Sequence, residues 1–124
     1  MAQRVPTNSA VLVVEDEPLV LWYLIEMIED EGLSVYGATN AAEAIKLMEA
    51  HEEIGVLLTD VEMPGSMDGL KLSHYVRWRW PRVRIFITSG RRQPLPQYMP
   101  TGAMFFDKPF RQDDLQKVFN AARA

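Results

Sequence analysis

Apolar residues fall along this chain in five short runs, separated by longer stretches in which they recur every three or four positions. The runs are Ala10–Glu15, Ser34–Ala38, Gly55–Asp60, Val83–Thr88 and Ala103–Asp107. The first, third and fourth (AVLVV, GVLLT, VRIFIT) are almost continuously apolar. A strand covered on both faces has this character, which predicts a parallel sheet between layers of helices. The fifth run, with Ala-Met-Phe-Phe, fits the same pattern.

Helical periodicity fills the gaps. A helix over Pro18–Glu31 is predicted to open on Pro18 and stop at Gly32. Asn40–His51 starts with an N-cap residue and has Glu43 three positions on, the signature of a capping box. Its apolar positions Ala41, Ala44, Ile45 and Met48 keep helical spacing. Asp68–Trp80 ends against Pro81, and Gln112–Ala122 closes the chain. Strands alternating with helices at this spacing predict right-handed crossovers and an open, doubly wound α/β sheet. One crossover breaks the pattern. Gly90–Gly102 carries Pro94, Pro96 and Pro100, so a loop or one short turn is expected where a fourth helix would lie. With no linker or repeat, one domain is expected over residues 9–124 after a tail at 1–8.

Composition narrows the class. The 124 residues are 48% hydrophobic and 24% charged. These are ordinary globular values that exclude disorder, collagen and coiled coil. The longest apolar run, Leu19–Ile25, has seven residues, far short of the ~20 that a membrane span needs. The first residues lack the apolar core of a secretory signal, so a cytoplasmic location is expected. No cysteine is present, which excludes disulfides, thiolate metal sites and a cysteine nucleophile.

The net charge of −4 hides an asymmetry. Residues 1–62 hold 13 acids and 2 bases, whereas residues 63–124 hold 4 acids and 11 bases. The acidic half calls for a cationic ligand, and the overall sign argues against a nucleic-acid binder.

Open α/β sheets bind ligands beyond the carboxyl ends of their strands. Glu15 and Asp16 end the first strand, Asp60 the third, Thr88 and Ser89 the fourth, and Lys108 follows the fifth. Three carboxylates gathered at one edge repel one another unless a cation joins them. Oxygen donors with no His or Cys favour Mg²⁺, which keeps several waters. Asp16 and Asp60 are the expected direct ligands, with the longer Glu15 acting through water. Lys108 and the Thr88 hydroxyl suit an anion beside that metal. Together the set describes phosphoryl transfer onto Asp60 to form an acyl phosphate.

Five segments at these positions resemble the receiver domain of bacterial response regulators: Val11–Pro18 (VLVVEDEP), Leu57–Pro64 (LLTDVEMP), Met67-Asp-Gly69, Ile85–Gly90 (IFITSG) and Phe106–Phe110 (FDKPF). The resemblance covers residues 9–123. It implies a flavodoxin-like five-stranded sheet of order 2-1-3-4-5, with Asp60 as phosphoacceptor. Glu15, Asp16 and the backbone carbonyl of Glu62 would serve Mg²⁺, and Thr88 would be the switch hydroxyl. Ser89 and Lys108 would bind the phosphoryl group, Lys108–Pro109 would be cis, and Phe105 would fill the switch-aromatic slot or simply pack in the core. The implied partners are a histidine kinase or histidine phosphotransfer protein and a downstream protein target. A homodimer is also compatible, and neither nucleic acid nor membrane is implied. Enzymatic turnover is not expected beyond acceptance and loss of the phosphoryl group.

Two departures from the family stand out. The Met63–Gly69 loop is one residue longer than usual, and the Thr88–Lys108 segment is about two shorter. Short, proline-interrupted versions of the latter resemble receivers that accompany hybrid histidine kinases. On the first helix, Leu21, Trp22 and Ile25 form a second apolar stripe, taken as a partner surface or as covered by loops. Arg77–Arg84 mixes arginines with Trp78 and Trp80 and reads better as a solvated face than as a nucleic-acid stretch. Two other functions stay open: an unphosphorylated pseudo-receiver acting as a binding module, and a Mg²⁺-dependent phosphohydrolase using Glu62 as acid/base.

Overall fold

The computed structural model describes residues 8–65, 67–91 and 93–124, so the expected tail, apart from Asn8, lies outside them. The strands are β1 Ala10–Val14, β2 Val35–Ala38, β3 Ile54–Asp60, β4 Arg84–Ser89 and β5 Met104–Asp107. The helices are α1 Pro18–Asp30, α2 Ala41–Ala50, α3 Gly69–Arg79 and α4 Gln112–Arg123. All five strands are parallel, in the order β2-β1-β3-β4-β5. The fold is the flavodoxin-like one expected. Among the described residues no helix is long and apolar enough to cross a membrane.

The continuous apolar runs are explained by two cores. On one face Leu12, Val14, Leu57, Ile85 and Ile87 meet α2 and α3. On the other Val11, Val13, Val56, Leu58, Phe86 and Phe106 meet α1 and α4. Successive strand residues point to opposite faces, so each run has to be apolar at every position. Phe86 and Phe106 stack across β4 and β5 with ring centroids 5.4 Å apart.

Local signals set the helix ends. Pro18 occupies the first turn of α1. The Asn40 side chain accepts from the Glu43 N–H at 2.9 Å. The Glu43 carboxylate reaches back to the N–H and hydroxyl of Thr39, both at 2.8 Å, rather than to the cap residue itself. Asp68 caps α3 by accepting from Lys71 N–H at 2.9 Å. In the fourth crossover the expected short turn is one 3-10 turn, Pro96–Tyr98.

Gly69 ties α3 to the carboxyl edge of the sheet. Its N–H donates to the Val61 carbonyl at 2.9 Å. A Cβ there would lie 1.6 Å from the Asp60 carbonyl oxygen, an impossible approach that only glycine avoids. Gly69→Ala is therefore expected to lower stability by about 3 kcal/mol or more, because the contact is backbone and cannot yield. Urea denaturation followed by circular dichroism measures this.

Candidate functional site

Parallel pairing brings the strand ends to one edge. The register sets Asp60 opposite Thr88 and Ser89 opposite Asp107, while β1 delivers Glu15 beside β3. Glu15 (1% exposed), Asp60 (4%), Thr88 and Ser89 are buried at that edge. Asp16 is exposed. Glu15, Asp16 and Asp60 each place one carboxylate oxygen within 4.8 Å of the others.

Lys108 enters from the β5–α4 connection. Its ammonium donates to Glu15 Oε1 at 2.8 Å and to Asp60 Oδ2 at 3.0 Å. The remaining Asp60 oxygen accepts from the Glu62 N–H at 3.3 Å, and that of Glu15 from the Glu17 N–H at 3.1 Å. The Lys108–Pro109 peptide is cis.

Electrostatics follow from this packing. Burial drives the Asp60 pKa up, the Lys108 bond opposes it, and the carboxylates of Glu15 and Glu62 push it further, to about 6. For Lys108, burial pulls the pKa down, but its bonds to Glu15 and Asp60 outweigh this and leave it above the ordinary lysine value. One ammonium therefore serves two buried carboxylates, with a third acid at the rim. The donor set is oxygen only and short of positive charge, which fits a hard divalent cation.

The hydroxyl of Thr88 is buried without a hydrogen-bond partner. An orphaned buried hydroxyl is unfavourable, and an acceptor brought beside it would relieve that cost. Ser89 is engaged differently. Its Oγ donates to Glu62 Oε2 at 2.6 Å and accepts from the Arg91 N–H at 3.0 Å. The sequence had assigned Glu62 a backbone role and a possible acid/base role, but no residue spacing foretold this side-chain bond. Phe105 is half-buried against the α2–α3 core, which is the packing alternative for that position.

The partner stripe on α1 needs correction. Leu21 and Ile25 turn inward, and their side chains fill the space above Gly37 of β2. Only Trp22 of that trio is open, and its exposed neighbours are Leu19 and Tyr23. Helical spacing could have found this set, since positions 19, 22 and 23 share one face. Of the two tryptophans ending α3, Trp80 packs against the core while Trp78 stands 75% exposed.

Comparison with known proteins agrees with this geometry. The family model for the response regulator receiver domain matches residues 11–120. The nitrogen assimilation regulatory protein NtrX of Azorhizobium caulinodans is 30% identical over 90% of this chain and 25% of its own. The chain spans 23% and 43% of the length of two further curated relatives. Among solved structures, the receiver domain of the hybrid histidine kinase CckA is 27% identical with a TM-score of 0.76, covering 94% of this chain and 100% of that one. The Thermotoga maritima response regulator protein TrrA, solved in complex with Mg²⁺ and BeF, is 26% identical with a TM-score of 0.76 over 91% of this chain and 98% of that one.

The raised Asp60 pKa sets a pH dependence for the metal-free protein. The folded state binds this proton more tightly than the unfolded chain, so ionising Asp60 destabilises the fold. That cost is absent below the ordinary value of 3.8 and complete above about 6. Asp60→Asn is thus expected to stabilise the metal-free chain by about 1–2 kcal/mol at pH 8, part of the gain being offset by the lost Lys108 bond, with no gain near pH 4. Thermal melts with chelator at the two pH values measure it.

Proposed function

The chain belongs to the response regulator receiver domain family, and we propose that it is a phosphoacceptor whose Asp60 takes a phosphoryl group from the phosphohistidine of a histidine kinase or phosphotransfer protein. The observation that carries this reading is the Lys108 ammonium bonded to both Glu15 and Asp60, across the register from an unpartnered Thr88 hydroxyl.

An Asp60 oxygen attacks phosphorus, the P–N bond to the donor imidazole breaks, and the departing imidazole nitrogen takes up a proton from solvent. Asp16, Asp60 and the Glu62 carbonyl would hold Mg²⁺, with Glu15 behind them. There the ion would neutralise charge on the transferring oxygens. Lys108 is already placed against Asp60 to pair with a phosphoryl oxygen. Thr88 gains the acceptor it lacks. The product carries extra negative charge at the strand edge, and the movement of Thr88 transmits that change to the β4–β5 connection.

The Glu62 carboxylate accepts a hydrogen bond from Ser89, which speaks against its use as the acid/base of a phosphohydrolase. Acceptance is stoichiometric in this reading, followed by slow hydrolysis rather than turnover of small phosphoesters. The presence together of Glu15, Asp16, Asp60, Thr88 and Lys108 speaks for phosphorylation over a silent binding module. The donor docks on α1, where exposed Leu19, Trp22 and Tyr23 adjoin an apolar groove of about 610 Å³ that reaches Lys108 and Pro109. A phosphohistidine donor of this kind belongs to the cytoplasm.

Incubation with acetyl phosphate followed by intact mass measurement tests the proposal. One phosphoryl group should be gained only with Mg²⁺ and should be absent in Asp60→Asn. Lys108→Ala should slow labelling by about 100-fold, as for loss of one charge-stabilising donor. Trp22→Ala should leave acetyl phosphate labelling intact but slow transfer from a phosphohistidine protein by about tenfold. Labelling that survives in Asp60→Asn would overturn the reading.

A further inference from the structure

The rim of the phosphoacceptor site is crowded with carboxylates. Glu15, Asp16 and Asp60 gather there, and Asp16, Glu62, Asp68 and Arg91 line an adjoining recess of about 430 Å³. A phosphoryl donor that enters as a free dianion meets five acids across the cluster and the recess. Lys108 does little to draw it in, because that ammonium is already bonded to Glu15 and Asp60. A bound divalent ion offsets only part of this charge, so the entrance stays negative and repels the dianion.

Among the described residues lining the recess, Arg91 is the cation. Its backbone is set there by a relay. The Arg91 N–H donates to Ser89 Oγ at 3.0 Å, and that hydroxyl donates to Glu62 Oε2 at 2.6 Å. The chain leaving β4 is thereby folded over the Glu62 side of the site. Gly90 separates Arg91 from Lys108, and a Cβ on Gly90 would lie 3.8 Å from Lys108 Cδ. Two cations thus flank one glycine, Lys108 on the inner side against Asp60 and Arg91 at the outer recess. Arg91 is exposed, and among the described residues no carboxylate pairs with its guanidinium. In this it differs from Arg79, which is bonded to Glu49, and from Arg77, whose guanidinium donates to backbone carbonyls.

We propose that Arg91 gives this site its hold on small phosphodonors: its guanidinium takes the phosphoryl oxygens of a low-mass acyl phosphate at the recess and delivers them over Gly90 to Asp60. The proposal rests on the phosphoacceptor reading and adds a residue which that reading does not use. A planar guanidinium with several N–H groups suits two oxygens of one phosphoryl group. An Asp60 oxygen then attacks phosphorus, the P–O bond to the acyl oxygen breaks, and the carboxylate leaves with the bonding pair, so no proton is needed. A phosphohistidine protein depends less on Arg91, because the contacts proposed on α1 hold it at the site whatever charge the entrance carries. Arg91 also acts against the divalent ion, since it adds positive charge beside Asp16.

The test uses the full chain with Mg²⁺ and acetyl phosphate, the phosphoryl content being followed in time by intact mass. Arg91→Ala should raise the half-saturating acetyl phosphate concentration about fivefold and leave the limiting rate within about twofold. Arg91→Lys should recover most of that loss, and Arg91→Glu should deepen it. Transfer from a phosphohistidine protein should change by less than about twofold in Arg91→Ala. Mg²⁺ affinity, read by calorimetry, should rise about twofold in Arg91→Ala, a gain that a merely structural role for Arg91 would not give. An unchanged half-saturating concentration, a Lys variant no better than Ala, an equal slowing of the phosphohistidine reaction, or a fall in Mg²⁺ affinity would each overturn the inference. A chain that gains no phosphoryl group at all instead sinks the phosphoacceptor reading. Arg91 is then decided by titrating the non-transferable dianion acetonylphosphonate into Asp60→Asn, with Mg²⁺, by NMR. Adding Arg91→Ala to that variant should weaken binding about fivefold, and equal binding by the two would remove the role assigned to Arg91.

Discussion

The Lys108 ammonium, bonded to Glu15 at 2.8 Å and Asp60 at 3.0 Å, is the contact on which this edge of the molecule depends. Two buried carboxylates without a cation would not stay ionised together. One ammonium makes their proximity tolerable but does not balance it, and Asp16 adds a further negative charge at the rim. Burial first, and then the neighbouring carboxylates of Glu15 and Glu62, push the Asp60 carboxyl up to about 6 despite its lysine partner. A proton or a divalent cation can relieve that deficit. A phosphoryl group on Asp60 would add charge and so would need both a cation and the lysine. On the proposed reading, affinity for the ion and readiness to accept phosphorus would both follow from this one charge cluster.

The cluster exists because the sheet is parallel. Strands that all run the same way end at the same edge, so residues 15, 60, 88 and 108 meet without any local sequence relation. The α3 helix reinforces this by packing the Gly69 backbone against the Asp60 carbonyl. Packing of helix on strand at that point fixes where the Asp60 side chain emerges.

Much of this was legible beforehand, and the reasons are physical. Apolar runs of strand length and 3.6-residue periodicity are strong signals, and every element bound falls within one residue of the expected one. The site residues were legible because they occupy strand ends, a position that the topology alone makes chemical. Legibility failed where side-chain direction matters more than spacing. Leu21 and Ile25 looked like an outer stripe, yet Gly37 leaves a space on β2 that draws them inward. The Ser89–Glu62 bond and the contact of His74 with Tyr98 join side chains from separate segments, and no periodicity encodes such meetings.

The β4–β5 connection shows how a missing helix is made good. A crossover helix satisfies its own carbonyls, whereas a proline-broken segment leaves them needing donors. Here α3 supplies those donors through His74 and Arg77, at Tyr98 and Thr101. The substitution has a mechanical consequence. A self-contained helix can slide as a unit over its neighbours, but a segment bonded to α3 through its carbonyls cannot move without engaging α3. A displacement begun at Thr88 would therefore have to strain or shift those bonds. The same prolines that abolish the crossover helix hand its contacts to α3.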